Sequence, residues 1–71
     1  MGNSVYKVIE LVGTSEKSWE EAALNAVEMA SKSLRDLRIA EVVEMDLQIE
    51  DGKVVAYRTK VKVSFKYKSE E

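Results

Sequence analysis

The chain has 71 residues, a formal net charge of −2, and neither Cys nor His. Those absences exclude a thiolate or imidazole zinc site, a Ser/His or Cys/His nucleophilic pair, and any disulfide to brace so small a core. At this length the gain from apolar burial and the loss from ordering the chain nearly cancel, so association between copies is the remaining source of stability.

The mildly acidic balance argues against a nucleic-acid binder, whose affinity rests on excess Lys and Arg. No apolar run approaches the ~20 residues that span a bilayer. The expectation is a single domain over residues 1–71, cytoplasmic, with no membrane or nucleic-acid partner.

Periodicity supplies the elements in chain order. Residues 5–12 are short and β-branched with apolar side chains at both parities, predicting a strand covered on both faces and ended by Gly13-Thr14-Ser15. Trp19, Ala22, Ala23, Ala26, Val27, Ala30, Leu34 and Leu37 then recur at spacings of three and four, predicting a helix over 18–35. Ser18 and Glu21 form a capping box at its start. Trp19 belongs to the core on this reading, and Leu24, off the main stripe, is an ordinary exposed Leu or a subunit contact.

From Ile39 the period becomes two. Val43, Met45, Leu47 and Ile49 share one face of a half-buried strand, and Glu44, Asp46, Gln48 and Glu50 share the other. After Asp51-Gly52, Val55, Tyr57, Thr59, Val61, Val63, Phe65 and Tyr67 alternate with Arg58, Lys60, Lys62, Ser64, Lys66 and Lys68. A strand this long must bend or run past its own core.

Hydrophobic matching favours a three-residue loop, Glu50-Asp51-Gly52, pairing Ile49 with Lys53, Leu47 with Val55, Met45 with Tyr57 and Val43 with Thr59. That register sets Glu44 opposite Arg58, with Lys60 diagonal. The fold class is therefore α+β, β-α-β-β: a three-stranded antiparallel sheet with one helix packed on one face. The other face carries acids from one strand beside bases from the next. It is either a solvated surface with weak cross-strand pairs or the polar lining of a compartment formed between copies.

Four segments carry a family resemblance: Val5-Tyr6-Lys7-Val8-Ile9-Glu10-Leu11-Val12-Gly13-Thr14-Ser15, Ser18-Trp19-Glu20-Glu21-Ala22, Ala40-Glu41-Val42-Val43 and Val61-Lys62-Val63-Ser64-Phe65. In this order, and over nearly the whole chain, they resemble the dodecins. The resemblance implies a hollow homododecamer with helices outside and sheets inward, and non-catalytic sequestration of a flavin, FMN or riboflavin. Ile39, Arg58, Glu41 and Glu44 are then the candidate cofactor contacts.

In flavin-binding members a Trp immediately before the segment matching Ala40-Glu41-Val42 stacks on the isoalloxazine, and a Gln just after the residue matching Tyr57 hydrogen-bonds its polar edge. This chain has Ile39 and Arg58 there. Ile offers no π-stacking and Arg cannot accept a hydrogen bond, so flavin affinity is expected to fall, by about 1–3 kcal/mol per ring face lost.

Some dodecins lacking the Trp are associated with calcium, which makes Glu41, Glu44 and Asp46 candidate ligands for Ca²⁺ at contacts between copies. Coenzyme A, bound by some relatives, is a further alternative. An enzyme is not expected, because no nucleophile in the sequence has an evident base or oxyanion arrangement. Nor do Phe65 and Tyr67 offer a stacking platform beside the lysines, whose parity they oppose.

Overall fold

The computed structural model describes residues 3–70, without the side chains of Asn3 and residues 68–70, so the expected place of Lys68 in the basic row lies outside the described part. Its elements are β1 (Asn3–Ser15), α1 (Trp19–Ser31), β2 (Leu37–Glu50) and β3 (Lys53–Glu70). The three strands form one antiparallel sheet in the order β1-β3-β2. The long alternating strand therefore lies in the middle and supplies ladder partners to both neighbours.

The helix packs close to the sheet because its buried stripe is made of alanines. Ala22, Ala26 and Ala30, four residues apart, are buried and face Val61 and Val63 of β3, with Ile9, Leu11, Ala23 and Leu37 packed around them. Gly13 marks the closest approach. A Cβ added there would collide with the Ala22 carbonyl oxygen. Gly13-Thr14-Ser15 thus does not end β1 but continues it, pairing with Thr59, Arg58 and Tyr57. The expected strand end was a helix contact.

The capping box forms by half. The Glu21 amide donates to Ser18 Oγ at 3.0 Å, but the Glu21 carboxylate takes the Ser15 hydroxyl at 2.6 Å, and Ser15 Oγ in turn accepts from the amides of Lys17 and Ser18. Ser15 is buried, and this network satisfies it.

At its other end the helix stops at Ser31, short of the expected Arg35. The Ser33 and Leu34 amides both turn back to the Ala30 carbonyl, and Asp36, at φ 60°, reverses the chain into β2. Leu34 and Leu37, read as the end of the helical stripe, belong to the connection and to β2.

The hairpin also departs from expectation. Asp51 and Gly52 both have positive φ, 51° and 75°, so the loop has two residues, with Glu50 opposite Lys53. The mismatch of parity that argued against such a loop is absorbed by an extra residue on β3, Val55. Beyond it Leu47 faces Tyr57, Met45 faces Thr59 and Glu44 faces Lys60. A second irregularity at Val43 moves Val42 opposite Val61 and Ala40 opposite Val63, so Val42 and Ala40, not Val43, continue the helix-side row. A third irregularity falls at Arg38.

Much of this apolar surface has no cover within the chain. The accessible surface is 5534 Å², against about 4,500 Å² for a compact monomer of this mass. The helix lies mainly over β1 and β3, leaving a groove of about 580 Å³ beside β2, lined by Trp19, Ala23, Leu24, Val27, Val42 and Met45. Val42 and Met45 are 51% and 58% exposed. On β1, expected to be covered on both faces, Val8 and Val12 are exposed as well, because it is an edge strand whose second face meets nothing in its own chain. No helix among the described residues is long and apolar enough to cross a membrane.

Candidate functional site: the open face of the sheet

Side chains directly opposite one another in an antiparallel ladder share a face, so the register lists what the sheet presents on the side away from α1. Arg58 lies between Thr14 and Asp46, Lys60 between Val12 and Glu44, Lys62 between Glu10 and Glu41, and Ser64 between Val8 and Ile39. The opposed rows expected from sequence are present in part: Glu44 and Asp46 face Lys60 and Arg58, Glu41 joins them because the irregularity at Val43 reverses its parity, and Gln48 lies opposite Ala56. Glu10, on β1, is a third contributor that sequence reading missed. Its signal was a lone acid in an apolar strand, legible only once β1 is known to flank β3.

The pairing differs by two residues from the expected one. Arg58 faces Asp46, not Glu44, because the two-residue loop moves the register by one place and Val55 moves it by a second. The contact is bidentate, with Arg58 Nε donating to Asp46 Oδ1 at 2.7 Å and Nη2 to Oδ2 at 2.9 Å. Lys60 approaches Glu44 more loosely, at 3.4 Å. Lys62, with a carboxylate on each side, lies within ion-pair distance of neither.

The Asp46 backbone is fixed from the opposite face, where Trp19 Nε1 donates to the Asp46 carbonyl at 3.0 Å. The indole meets Tyr57 edge-on, with centroids 5.1 Å apart at 81°. The Thr59 hydroxyl donates to the Trp19 carbonyl at 2.9 Å, which closes the first helical turn onto the sheet. Trp19 is thus a half-buried clamp between α1 and β2 and only partly a core residue.

Hydrogen bonding from Arg58 is the chief reason the Asp46 carboxyl titrates below its ordinary 3.8; partial desolvation opposes it, and the charges of Arg58 and Lys60 assist. Arg58 is held correspondingly more firmly in its charged form. For a depressed carboxyl the stabilisation is fully present above the unfolded-state pKa and is lost as pH falls through the folded one. A ¹³C titration of the Asp46 carboxyl should therefore give a midpoint below 3.8 in wild type and a return toward 3.8 in Arg58→Gln. Equal midpoints in the two proteins would show that the pair does not form in solution.

Ile39 is on the open face and 66% exposed, with the Ser64 hydroxyl donating to its carbonyl at 3.4 Å. It nevertheless lies at the Ser64 rung, six residues along β3 from Arg58, a separation of roughly 20 Å at ~3.3 Å per residue. One subunit cannot bring both candidates to one flavin. The acids are spread likewise: Glu41, Glu44 and Asp46 sit at the rungs of Lys62, Lys60 and Arg58. Among the described residues no three carboxylates converge to hold a metal. Any site joining these residues has to be completed by a second copy.

The dodecin family model matches residues 5–68. The chain belongs to the dodecin family. The calcium dodecin of Mycobacterium tuberculosis is 49% identical over 63 residues, covering 89% of each chain. The crystal structure of that calcium dodecin, described as having a novel calcium-binding site, superposes with a TM-score of 0.82 at 50% identity, over 92% of this chain and 93% of that one. The dodecin of Streptomyces coelicolor gives a TM-score of 0.88 at 41% identity, over 96% and 97%. The β-α-β-β dodecin fold is thus common to this chain and these relatives.

Proposed function

We propose that the protein is a non-catalytic, self-assembling dodecin that sequesters a small ligand on the open faces of its sheets, and that the ligand is a divalent cation of the Ca²⁺ class in preference to a flavin. The observation that carries this reading is the rung Glu10–Lys62–Glu41, where two carboxylates face one ammonium and neither pairs closely with it. Arg58, at the position of the flavin-binding amide, is occupied by Asp46, and Ile39 offers a flavin no aromatic face.

Calcium takes six to eight oxygen ligands, more than one subunit presents in any one place, so adjoining copies would pool Glu41, Glu44 and Glu10. Asp46, already bound in both oxygens by Arg58, contributes less. Self-association into a closed shell, twelve subunits by the family's pattern, fits the uncovered apolar groove and the surplus of exposed area. The relative named a calcium dodecin supports the same choice of ligand.

Calorimetric titration of Ca²⁺ into chelator-treated protein should give saturable heat that Glu41→Gln removes. No heat would end the cation reading. Tight, stoichiometric quenching of added riboflavin would put the flavin reading in its place.

A further inference from the structure

We propose that Asp46 sets the charge of the ligands that the open face accepts: by occupying the Arg58 guanidinium it excludes phosphate-bearing molecules and confines the face to cations and uncharged ligands. The inference rests on the reading of the open face as the ligand face. It adds the ligand class that the face rejects and the residue that rejects it.

Phosphate is recognised by a guanidinium through two parallel N–H donors, a geometry Lys cannot reproduce. Arg58 is the one guanidinium among the paired residues of this face; the Nε–Nη2 edge of its fork goes to the two oxygens of Asp46 at 2.7 and 2.9 Å, which leaves only the Nη1 end open and cancels the charge that would draw a phosphate to it. The carboxylate is not free to swing away with its strand, because the indole of Trp19 holds the Asp46 carbonyl from behind.

Among the described residues, the rungs paired with and following Arg58 offer no uncompensated second anchor for an anion. Thr14, opposite Arg58 on β1, is uncharged. On the next rung Lys60 is matched by Glu44 at 3.4 Å, and on the rung after that Lys62 is outnumbered by Glu10 and Glu41. Arg58 and Lys60 against Asp46 and Glu44 sum to zero. Rungs two residues apart lie within the ~8 Å over which charges are felt at physiological salt, so this local sum is what an approaching anion meets. Loss of the single Asp46 charge frees the fork and turns the sum to +1.

The test uses pyrophosphate, in the absence of metal, titrated calorimetrically into the full-length assembled protein. Wild type is expected to give no saturable heat. Asp46→Asn should give saturable heat, with an affinity at least about tenfold above the weakest that the titration of wild type would have detected, as recovery of charge-assisted hydrogen bonds to a guanidinium implies. Asp46→Asn combined with Arg58→Gln should be silent, which assigns the new binding to Arg58.

Equal binding by wild type and Asp46→Asn, or none by either, overturns the proposal. A second readout needs no variant that must fold: the Arg58 Nε–Hε resonance of wild type should stay in place as pyrophosphate is raised to millimolar levels, and a shift there also overturns it. Calcium binding by the wild type is measured separately, so failure of the cation reading and failure of this proposal remain distinct results.

Discussion

Gly13→Ala is expected to destabilise the protein by about 3 kcal/mol, at the upper end of ordinary overpacking, and so to lower Tm by about 12 °C or more. The new methyl group has nowhere to go. Its carbon would lie 1.9 Å from the Ala22 carbonyl oxygen and 3.0 Å from the Ala26 Cβ. Both belong to a helix whose first turn is held by Ser18 Oγ, by the Ser15–Glu21 contact and by Thr59 on the Trp19 carbonyl.

Relief would mean lifting α1 off the sheet and opening the layer between its alanines and Val61 and Val63. Thermal unfolding followed by far-UV circular dichroism measures the effect. An unchanged Tm would mean that helix and sheet are not in the close contact described. Gly52→Ala is the matched control: it too introduces a methyl at a glycine, but into open space, so only its backbone at φ 75° objects.

Met45→Lys is expected to break the assembly into small species at micromolar concentration. Met45 and Val42 lie uncovered on the helix side of β2, in a groove floored by Val61 and walled by Trp19 and Leu24. A chain of this size that leaves such a groove to solvent gives up apolar burial it can scarcely do without. A second subunit is the partner that the sequence always has available. An ammonium placed where a neighbour must pack should weaken each contact by at least about 2 kcal/mol, and symmetry repeats the loss at every copy. Light scattering measures it. A variant that keeps the wild-type mass would show that the groove is not an interface.

The order of the elements, the faces of β3 and the buried face of α1 were legible in the sequence because alternation over β3 is nearly uninterrupted and the alanine stripe of α1 keeps its four-residue spacing. The pairing was not. Hydrophobic matching correctly placed Met45 and Leu47 on the helix side, but it assumed a regular ladder and so moved the irregularity into the loop. The chain instead turns tightly at Asp51-Gly52 and inserts Val55, a choice set by backbone geometry that side-chain parity does not record.

The misassignment of Arg58 to Glu44 followed directly, since the shorter loop and the residue inserted on β3 each move every partner beyond them by one place. Gly13 was misread for a related reason: Gly-Thr-Ser looks like a strand end, and only the position of α1 shows that the glycine is needed for close approach. The candidate ligand site was least legible, because Ile39 and Arg58 share a face yet stand roughly 20 Å apart along the sheet. Whatever would bring such residues together lies outside one subunit, and a single chain's periodicity carries no trace of it.

The bends at Arg38 and Val43 matter beyond the register they disturb. β2 is an outermost strand of fourteen residues, long enough to template the addition of foreign strands and so to seed fibres. At both bends the row of outward amides and carbonyls falls out of step, so an incoming straight strand could match it only in pieces. Along this edge the irregularities stand against strand addition, the one mode of association that never terminates.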